Sequence, residues 1–269
     1  MLQNFASPFS CFWQNRFIVM SMARREVTGR YRGSMLGMLW SFVNPLLMLA
    51  LYTFFFKFIF NAKWPDTGDT TADYAVMLFA GLIVHGMAAE IMSRSTGLIV
   101  GNVNLVKKVL FPLEVLPWVV LVSTLFHTAI SFFVLICFIL ASGGALHWSL
   151  LLLPMVLLPM ALLFLGAAWF LSALGVYLRD VEQVMGSVVT LLLFSSTVFF
   201  SIDNAPAAIR PILLFNPITE IINSVRKVVV YGVSPDWFNL SVYFLIAIIF
   251  LQCGYYFFRK TRDGFADVL

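Results

Sequence analysis

The residues that could do chemistry in this chain are few and scattered. His85, His127 and His147 stand far apart, and none lies at a metal-ligand spacing from a cysteine or an acid. The sequence contains no GxxxxGKS or GxxxxGKT phosphate loop, no HExxH zinc motif, no CxxC pair and no recognisable set of serine, histidine and acid. We therefore predict no catalytic residue, no metal and no cofactor on this chain. If it moves a solute against a gradient, the energy must come from elsewhere.

The acidic residues favour one source of that energy. Ion-coupled transporters usually hold acids at mid-membrane, often in broken helices. Here the acids cluster near the ends of apolar stretches, and Glu90 and Arg94, four residues apart, predict a local ion pair at the end of a helix. This distribution favours coupling to an ATPase on another chain. An ion-coupled transporter or a passive channel is the alternative from a different class.

The composition is that of a polytopic membrane protein. Of 269 residues, 61% are hydrophobic and 11% are charged, and the mean hydropathy is +0.93. The net charge of +4 is better explained by positive inner loops than by nucleic-acid binding, because no basic face is interleaved with aromatic residues. We expect the chain to contact membrane lipids and no nucleic acid.

Six apolar stretches predict an all-α membrane fold with six transmembrane helices in one permease domain, residues 1–269. The predicted spans are residues 35–60, 74–93, 115–141, 150–174, 184–200 and 238–258. In this topology both termini lie on the same side, with most of the lysines and arginines, so both are predicted to be cytoplasmic. The cations assigned to the opposite side are Lys57, Lys63, Arg210, Arg226 and Lys227.

The N-terminal segment, residues 1–33, is too polar to span and predicts an amphipathic helix at the inner membrane interface. Gly33 and Gly37 follow at the mouth of the first span. On one helix face, small residues at this spacing would let a second helix approach closely. Steps of three and four residues predict an apolar stripe consisting of Trp13, Phe17, Met20, Ala23, Val27 and Tyr31.

A second non-spanning segment, residues 102–110, lies between glycines and prolines and predicts a short helix. Its apolar Leu105 and Val109 alternate with Lys107 and Lys108. Such a helix suits a groove on a partner protein and an anionic lipid surface about equally well.

A third non-spanning segment, residues 201–236, breaks twice at proline and contains a predicted helix, 218–231, that ends at Gly232. We predict that its two short pieces are re-entrant helices on the outer face. The second piece carries Glu220, Arg226 and Lys227, and we expect these charges to face water, headgroups or a channel because charge in lipid is costly.

Five motifs in this order resemble one family. The chain has RREVTGRYRGSMLGMLWSFVNPL at 24–46, NVNLVKKVLFPLEVLP at 102–117, YLRD before the fifth predicted span, FNPITEIINSVRKVVVYG at 215–232 and FRKTRDGFAD near its end. It resembles the permease subunits of type-two ABC exporters, most closely the polysaccharide permeases of the Wzm and KpsM kind. The resemblance implies a homodimer bound to two copies of a nucleotide-binding subunit, which would hold the ATP and Mg²⁺.

The resemblance also implies roles for particular residues. Residues 24–34 resemble the interface or gate helix, 102–112 the coupling helix that enters the ATPase groove, and 205–232 the re-entrant helices at the exit. Implied ATPase-coupling residues are Asn102, Asn104, Leu105, Lys107, Lys108 and Pro112. Implied interface-helix residues are Arg24, Arg25, Glu26, Arg30, Tyr31 and Arg32. Implied channel-lining aromatics are Phe54, Phe55, Phe56, Phe58, Phe194, Phe199 and Phe200.

The fifth span departs from the family pattern. Where the family commonly has a Ser-Pro-aromatic break, this chain has SSTVFFSID and no proline before Pro206, which leaves the outer boundary of the span open. The expected function is export of an undecaprenyl-linked polysaccharide, with O-antigen preferred over capsule or teichoic acid, across the bacterial inner membrane. An exporter of drugs or lipids with the same fold is the alternative, and the motif resemblance alone separates the two.

Overall fold

The computed structural model describes residues 7–55, 59, 64, 71–107 and 111–269, and the regular structure within these ranges is helical. The all-α prediction is therefore confirmed for the described residues. Phe56, Phe58 and Lys108, three of the predicted site residues, lie outside them. The helices are α1 (Pro8–Arg30), α2 (Trp40–Phe54), α3 (Thr71–Thr96), α4 (Val103–Val106), α5 (Val115–Ala141), α6 (Leu153–Tyr177), α7 (Asp180–Phe194), α8 (Arg210–Phe215), α9 (Thr219–Arg226), α10 (Trp237–Thr261) and α11 (Phe265–Val268).

Within the described ranges, five helical stretches are long and apolar enough to cross a membrane. They correspond to the first, second, third, fourth and last predicted spans. With the short turns that extend some of these helices, they run over Gly37–Phe54, Tyr74–Thr96, Val115–Ala141, Trp148–Tyr177 and Trp237–Val268.

The fifth predicted span, residues 184–200, differs from the structure. α7 begins four residues earlier, at Asp180, and ends at Phe194, so its 15 residues extend about 22 Å, less than the roughly 30 Å of a bilayer core. Beyond α7 the hydroxyls of Ser195 and Ser196 donate to the carbonyls of Leu191 and Leu193 at 2.6 and 2.7 Å. Serine side chains that bond to nearby backbone in this way compete with helix continuation.

The helices pack around α3, which contacts α2, α5, α6, α7 and α9. α6 and α10 approach each other closely along their length. A Cβ atom built on Gly254 would lie 2.1 Å from the carbonyl oxygen of Gly166, so the two backbones nearly touch. Small residues at a membrane helix contact permit such an approach.

Replacing Gly254 by alanine should therefore destabilise the chain by about 1–3 kcal/mol, the usual cost of overpacking a close contact. The added methyl group would meet backbone rather than a side chain that can turn away. Thermal unfolding of the purified protein in detergent would measure the loss. Gly86→Ala is the matched control, because a Cβ atom at Gly86 in α3 meets nothing within 4 Å. Equal midpoints for the two variants would contradict the packing.

α1 confirms the predicted N-terminal helix but buries a different stripe. Trp13, Phe17 and Met20 are 68%, 75% and 58% exposed, although Ala23 and Val27 are buried as predicted. Both sides of α1 carry apolar residues, so periodicity alone could not choose the packed side. α1 packs on α5, where the ring centre of Phe12 lies 4.6 Å from that of Trp118. The buried residues are Pro8, Cys11, Asn15, Val19, Ala23 and Val27.

The predicted helix face at Gly33 and Gly37 is wrong. Their φ angles are +90° and +51°, which are left-handed conformations that glycine adopts without steric cost. The chain turns here between the end of α1 at Arg30 and the start of α2. The two glycines therefore permit a change of direction, and no helix face joins them.

The bundle has a basic end, where Arg24, Arg25 and Arg94 lie, and a distal end opposite to it. The basic end comprises α1, the end of α3, the start of α5 and the end of α10. The distal end comprises the starts of α3, α6 and α10, the end of α7 and residues 195–236.

Here the predicted helix 218–231 is confirmed as α9 followed by a π turn, Lys227–Tyr231, with Gly232 at φ +70°.

Candidate functional site

A cluster of charged residues fastens α1 to α3 and α5 at the basic end. The predicted ion pair is confirmed, with Arg94 Nη1 3.1 Å from Glu90 Oε1. α1 contributes two further partners, because Glu26 pairs with Arg94 and Arg30 pairs with Glu90. Ser123 of α5 accepts from Arg94 at 3.0 Å and donates to Glu26 at 3.1 Å. We call Glu26, Arg30, Glu90, Arg94 and Ser123 the charge cluster.

A cavity of about 340 Å³ adjoins the charge cluster between α1, α2, α3 and α5. Its lining combines Arg30 and Glu90 with polar groups of the apolar helices, including Asn44 and His127. Polar groups at these depths are costly in lipid unless they meet water, protein or a polar ligand. The cavity therefore brings polar groups of α2, α3 and α5 together beside the charge cluster.

A second ion pair joins the start of α5 to the end of α10. Arg262 Nη1 lies 2.6 Å from Glu114 Oε1, and Glu114 is 1% exposed. The backbone oxygen of Glu114 also accepts from the indole of Trp169 at 3.2 Å. This pair was not predicted, because its one signal in the sequence is a lone acid between Pro112 and Pro117.

The interface-helix residues divide between two environments. Glu26 and Arg30 belong to the charge cluster, whereas Arg24 and Arg25 are exposed. Because α1 ends at Arg30, the last two predicted residues lie in the turn that follows the helix rather than within it. These two are Tyr31 and Arg32.

Of the predicted coupling helix, residues 102–110, the structure describes residues 102–107. A 3-10 turn, Val100–Asn102, leads into α4, and Lys107 ends the described part. Asn104 and Lys107 are exposed, as a docking surface requires. Leu105 instead packs half-buried against the core, Asn102 bonds back to the Leu98 carbonyl at 2.9 Å, and Pro112 is half-buried.

The described aromatic candidates lie at the distal end. Phe54 and Phe55 are 53% and 40% exposed and pack edge to face, with ring centres 5.7 Å apart. Phe194, 66% exposed, stacks on Phe199 at 5.7 Å. Phe200 is half-buried. The exposed rings of this set lie on α2, on the residue that follows it and on α7, and both helices pack on α3.

Arg226 is the unexpected residue of the distal end. It is 3% exposed, and its Nε, Nη1 and Nη2 atoms donate to the carbonyls of Met77, Thr197 and Val198 at 3.0, 2.7 and 2.8 Å. Its guanidinium also lies 4.3 Å from the ring centre of Trp64. The prediction that this charge faces water, headgroups or a channel is wrong, because backbone carbonyls take the place of water.

Arg226 thereby holds the segment after α7 against α3. Two of its three acceptors belong to residues 195–200, and the hydroxyl of Tyr74 donates to a further carbonyl there, that of Phe199, at 3.1 Å. The side chain of Asn216 reaches the end of α7, donating to the Leu192 carbonyl at 2.9 Å. These bonds join the end of α7 and the residues after it to Tyr74 on α3, to Asn216 and to Arg226 on α9.

Comparison with known proteins decides the family. Residues 18–230 match the model of the ABC-2 type transporter family. The chain belongs to the ABC-2 type transporter family. Together with the five apolar helices found among the described residues, this makes it a multi-pass membrane permease.

Relatives of this ABC-2 permease extend over nearly its full length. An O-antigen export system permease protein RfbA of Myxococcus xanthus is 26% identical over 95% of this chain and 96% of its own. The RfbA permease of Klebsiella pneumoniae is 26% identical over 94% and 95%. The polysialic acid transport protein KpsM of Escherichia coli is 24% identical over 95% and 97%.

Proposed function

We propose that this chain is the permease subunit of an ATP-driven exporter that moves a lipid-linked polysaccharide, with O-antigen preferred, across the bacterial inner membrane. The observation that carries the proposal is similarity from end to end to permeases named for O-antigen and polysialic acid export. The permease is not itself the ATPase. Two copies of a separate nucleotide-binding subunit would bind the ATP and Mg²⁺.

The proposed topology has six crossings with both termini in the cytoplasm. α7 and residues 195–200 together form the crossing that α7 is too short to make alone, and the bonds of Arg226 and Tyr74 satisfy carbonyls in its irregular part. Irregular backbone is tolerated at membrane depth when protein surrounds it. The basic end, with Arg24, Arg25, Arg94 and Lys107, faces the cytoplasm because positive charges are retained there.

A homodimer would place α2 and α7 along the transport path. Both helices leave most of their surface uncovered. Among their described residues, α2 buries Ser41 and Leu49, and α7 buries Met185. Polar side chains on a lipid-facing helix are costly. One exposed strip of α7 nevertheless has three polar residues followed by one phenylalanine. The strip consists of Gln183, Ser187, Thr190 and Phe194, and it suits a path on which sugar rings meet hydroxyls, amides and aromatic faces.

Movement driven by ATP would reach α2 and α7, the proposed walls of the transport path, through α3. The coupling segment follows α3 directly in the chain, and α3 contacts both α2 and α7. A push by the ATPase on residues 102–112 would therefore displace the helix against which both walls pack. The charge cluster would carry the same movement to α1.

Lys107→Glu should abolish recovery of the ATPase with the permease and strongly reduce glycan on the cell surface. Lys107 is exposed beside α4, and reversing its charge would place an acid in the contact. The measurement is co-purification from mild detergent after expression with the neighbouring ATPase gene, together with immunodetection of surface glycan. Lys260→Glu, an equal reversal at an exposed site of the same end, is the control.

Two results would contradict the proposal. Export that continues without any ATPase and follows the proton gradient would favour the ion-coupled alternative. Surface glycan that persists after deletion of this chain would rule out polysaccharide as its substrate.

A further inference from the structure

A polar cavity of about 250 Å³ opens at the distal end between α9, the π turn and the start of α10. It lies beside the segment that follows α7, and it is separate from the cavity at the charge cluster. Its volume is below the roughly 300–1,000 Å³ of drug-sized sites, so one ring of a larger molecule would fill it. The residues that matter here are Glu220, Asn223, Lys227, Tyr231 and Asn239.

The side chains that line this cavity offer both hydrogen-bond donors and hydrogen-bond acceptors to a ligand. Asn223 accepts through Oδ1 from the Thr197 hydroxyl at 3.2 Å, and its amide nitrogen has no partner among the described residues. Asn239 donates through Nδ2 to Asp236 at 3.0 Å, which leaves its amide oxygen to accept. Glu220 accepts from Ser224 at 3.3 Å through one oxygen, and the other oxygen can accept from a ligand. Lys227 is exposed and adds a donor.

An aromatic side chain completes the lining. Tyr231 is 40% exposed at the end of the π turn, and Trp64 lies beneath with its ring against Arg226. A sugar ring presents apolar CH faces to aromatic rings and hydroxyls that both donate and accept. A simple anion would instead meet the Glu220 carboxylate, while each nitrogen of Arg226 already donates to a carbonyl.

We propose that this cavity is a saccharide-binding site that holds one ring of the glycan as it leaves the permease. The inference rests on the proposed function, since the glycan reaches the distal end only if the chain exports it. Tyr231 packs on the ring, Glu220 and Asn239 accept from its hydroxyls, and Asn223 and Lys227 donate to them.

Protection of a cysteine by passing glycan tests this site. Ser201 lines the cavity, and Ser201→Cys changes its volume little. In intact cells, a membrane-impermeant maleimide should label this cysteine several-fold more slowly when the cells make glycan than when the first glycosyltransferase is deleted. Ser234→Cys, exposed on the same face and outside the cavity lining, should show no difference.

Two variants show whether the protection of Ser201→Cys comes from binding of a sugar ring in the cavity or only from closure of the exit. Glu220→Gln keeps the bond to Ser224 but removes the charge, and Asn223→Asp keeps the oxygen that accepts from Thr197 but removes the amide donor. Each should abolish the protection of Ser201→Cys while the protein level stays normal. Protection that survives both variants would overturn the saccharide site.

The remaining outcomes distinguish this inference from the proposed function. Equal labelling in producing and non-producing cells, with surface glycan still dependent on the chain, would overturn the site and leave the exporter intact. Surface glycan that does not depend on the chain would overturn the exporter and the site together.

Discussion

Arg226→Gln should unfold the distal end and abolish export. The guanidinium bridges α3 to the segment after α7 through three carbonyls, and a hydrogen bond to a charged group contributes about 1.5–3 kcal/mol. Glutamine cannot reach all three acceptors, so buried carbonyls would be left unpaired. We expect a loss of about 3 kcal/mol or more in the free energy of unfolding. Thermal unfolding in detergent and limited proteolysis within residues 195–218 would measure it.

Two matched variants make this prediction specific. Lys227→Gln removes the adjacent charge, but Lys227 is exposed, so the unfolding midpoint should stay near that of the unsubstituted protein. Arg226→Lys retains the charge but replaces a planar fork by a single ammonium, and it should recover little of the lost stability. If Arg226→Lys were as stable as the unsubstituted chain, charge alone would explain the role of this residue, and the three-carbonyl bridge would not.

The environment of Arg226 could not be predicted from the sequence. Its charge in an apolar segment predicted contact with water or headgroups, because carbonyls that could replace water cannot be located from one sequence. Those carbonyls belong to Met77 on α3 and to the residues after α7, far away along the chain. Two of the same bonds hold Thr197 and Val198, which lie within the predicted fifth span but beyond the end of α7.

The features that composition and local pattern determine were predicted well. Five apolar stretches became five long helices, and Gly232 ends the helical segment at 218–231 with a left-handed φ. The local pair of Glu90 and Arg94 needs one helix turn alone. The buried stripe of α1 could not be predicted without its neighbours, because packing buries Val19 and leaves Trp13 exposed.

In the candidate site, too, contacts within one helix could be predicted and contacts between distant residues could not. The pairing of Glu90 with Arg94 is local, whereas that of Glu26 with Arg94 joins residues 68 positions apart and could not be read from spacing. Leu105 was predicted to face a partner or the lipid surface, but the bundle itself takes up its apolar side chain and leaves Asn104 and Lys107 outside. The exposed polar residues of the coupling segment are therefore its better candidates for contact with the ATPase.

The second large effect concerns the charge cluster. Arg94→Ala should release α1 from the bundle and make Cys11 reactive. Arg94 is the residue that meets both α1 and α5, and its loss leaves Glu26 without its cationic partner. Cys11 is fully buried, and burial, with the nearby Glu114 carboxylate, raises the pKa of its thiol to about 12. At pH 8 only about one thiol in ten thousand would be the reactive thiolate.

Maleimide labelling at pH 8 of a chain carrying Cys137→Ser and Cys253→Ser measures this release, since both replaced cysteines are exposed. Labelling of Cys11 should be negligible in that background and should rise measurably after Arg94→Ala. Arg25→Ala removes an exposed cation of α1 and should leave labelling unchanged. Glu26→Arg combined with Arg94→Glu restores one opposite-charge pair and should restore part of the protection.

The combined result would show what the cluster does. Release of α1 with loss of export, and partial recovery of both by the charge swap, would mean that docking of α1 is needed to pass movement from the ATPase to the bundle. Loss of export with Cys11 still protected would contradict that role, because α1 would remain packed on α5. Arg94 would then act within the neighbouring cavity, where Glu90 and Arg30 also lie.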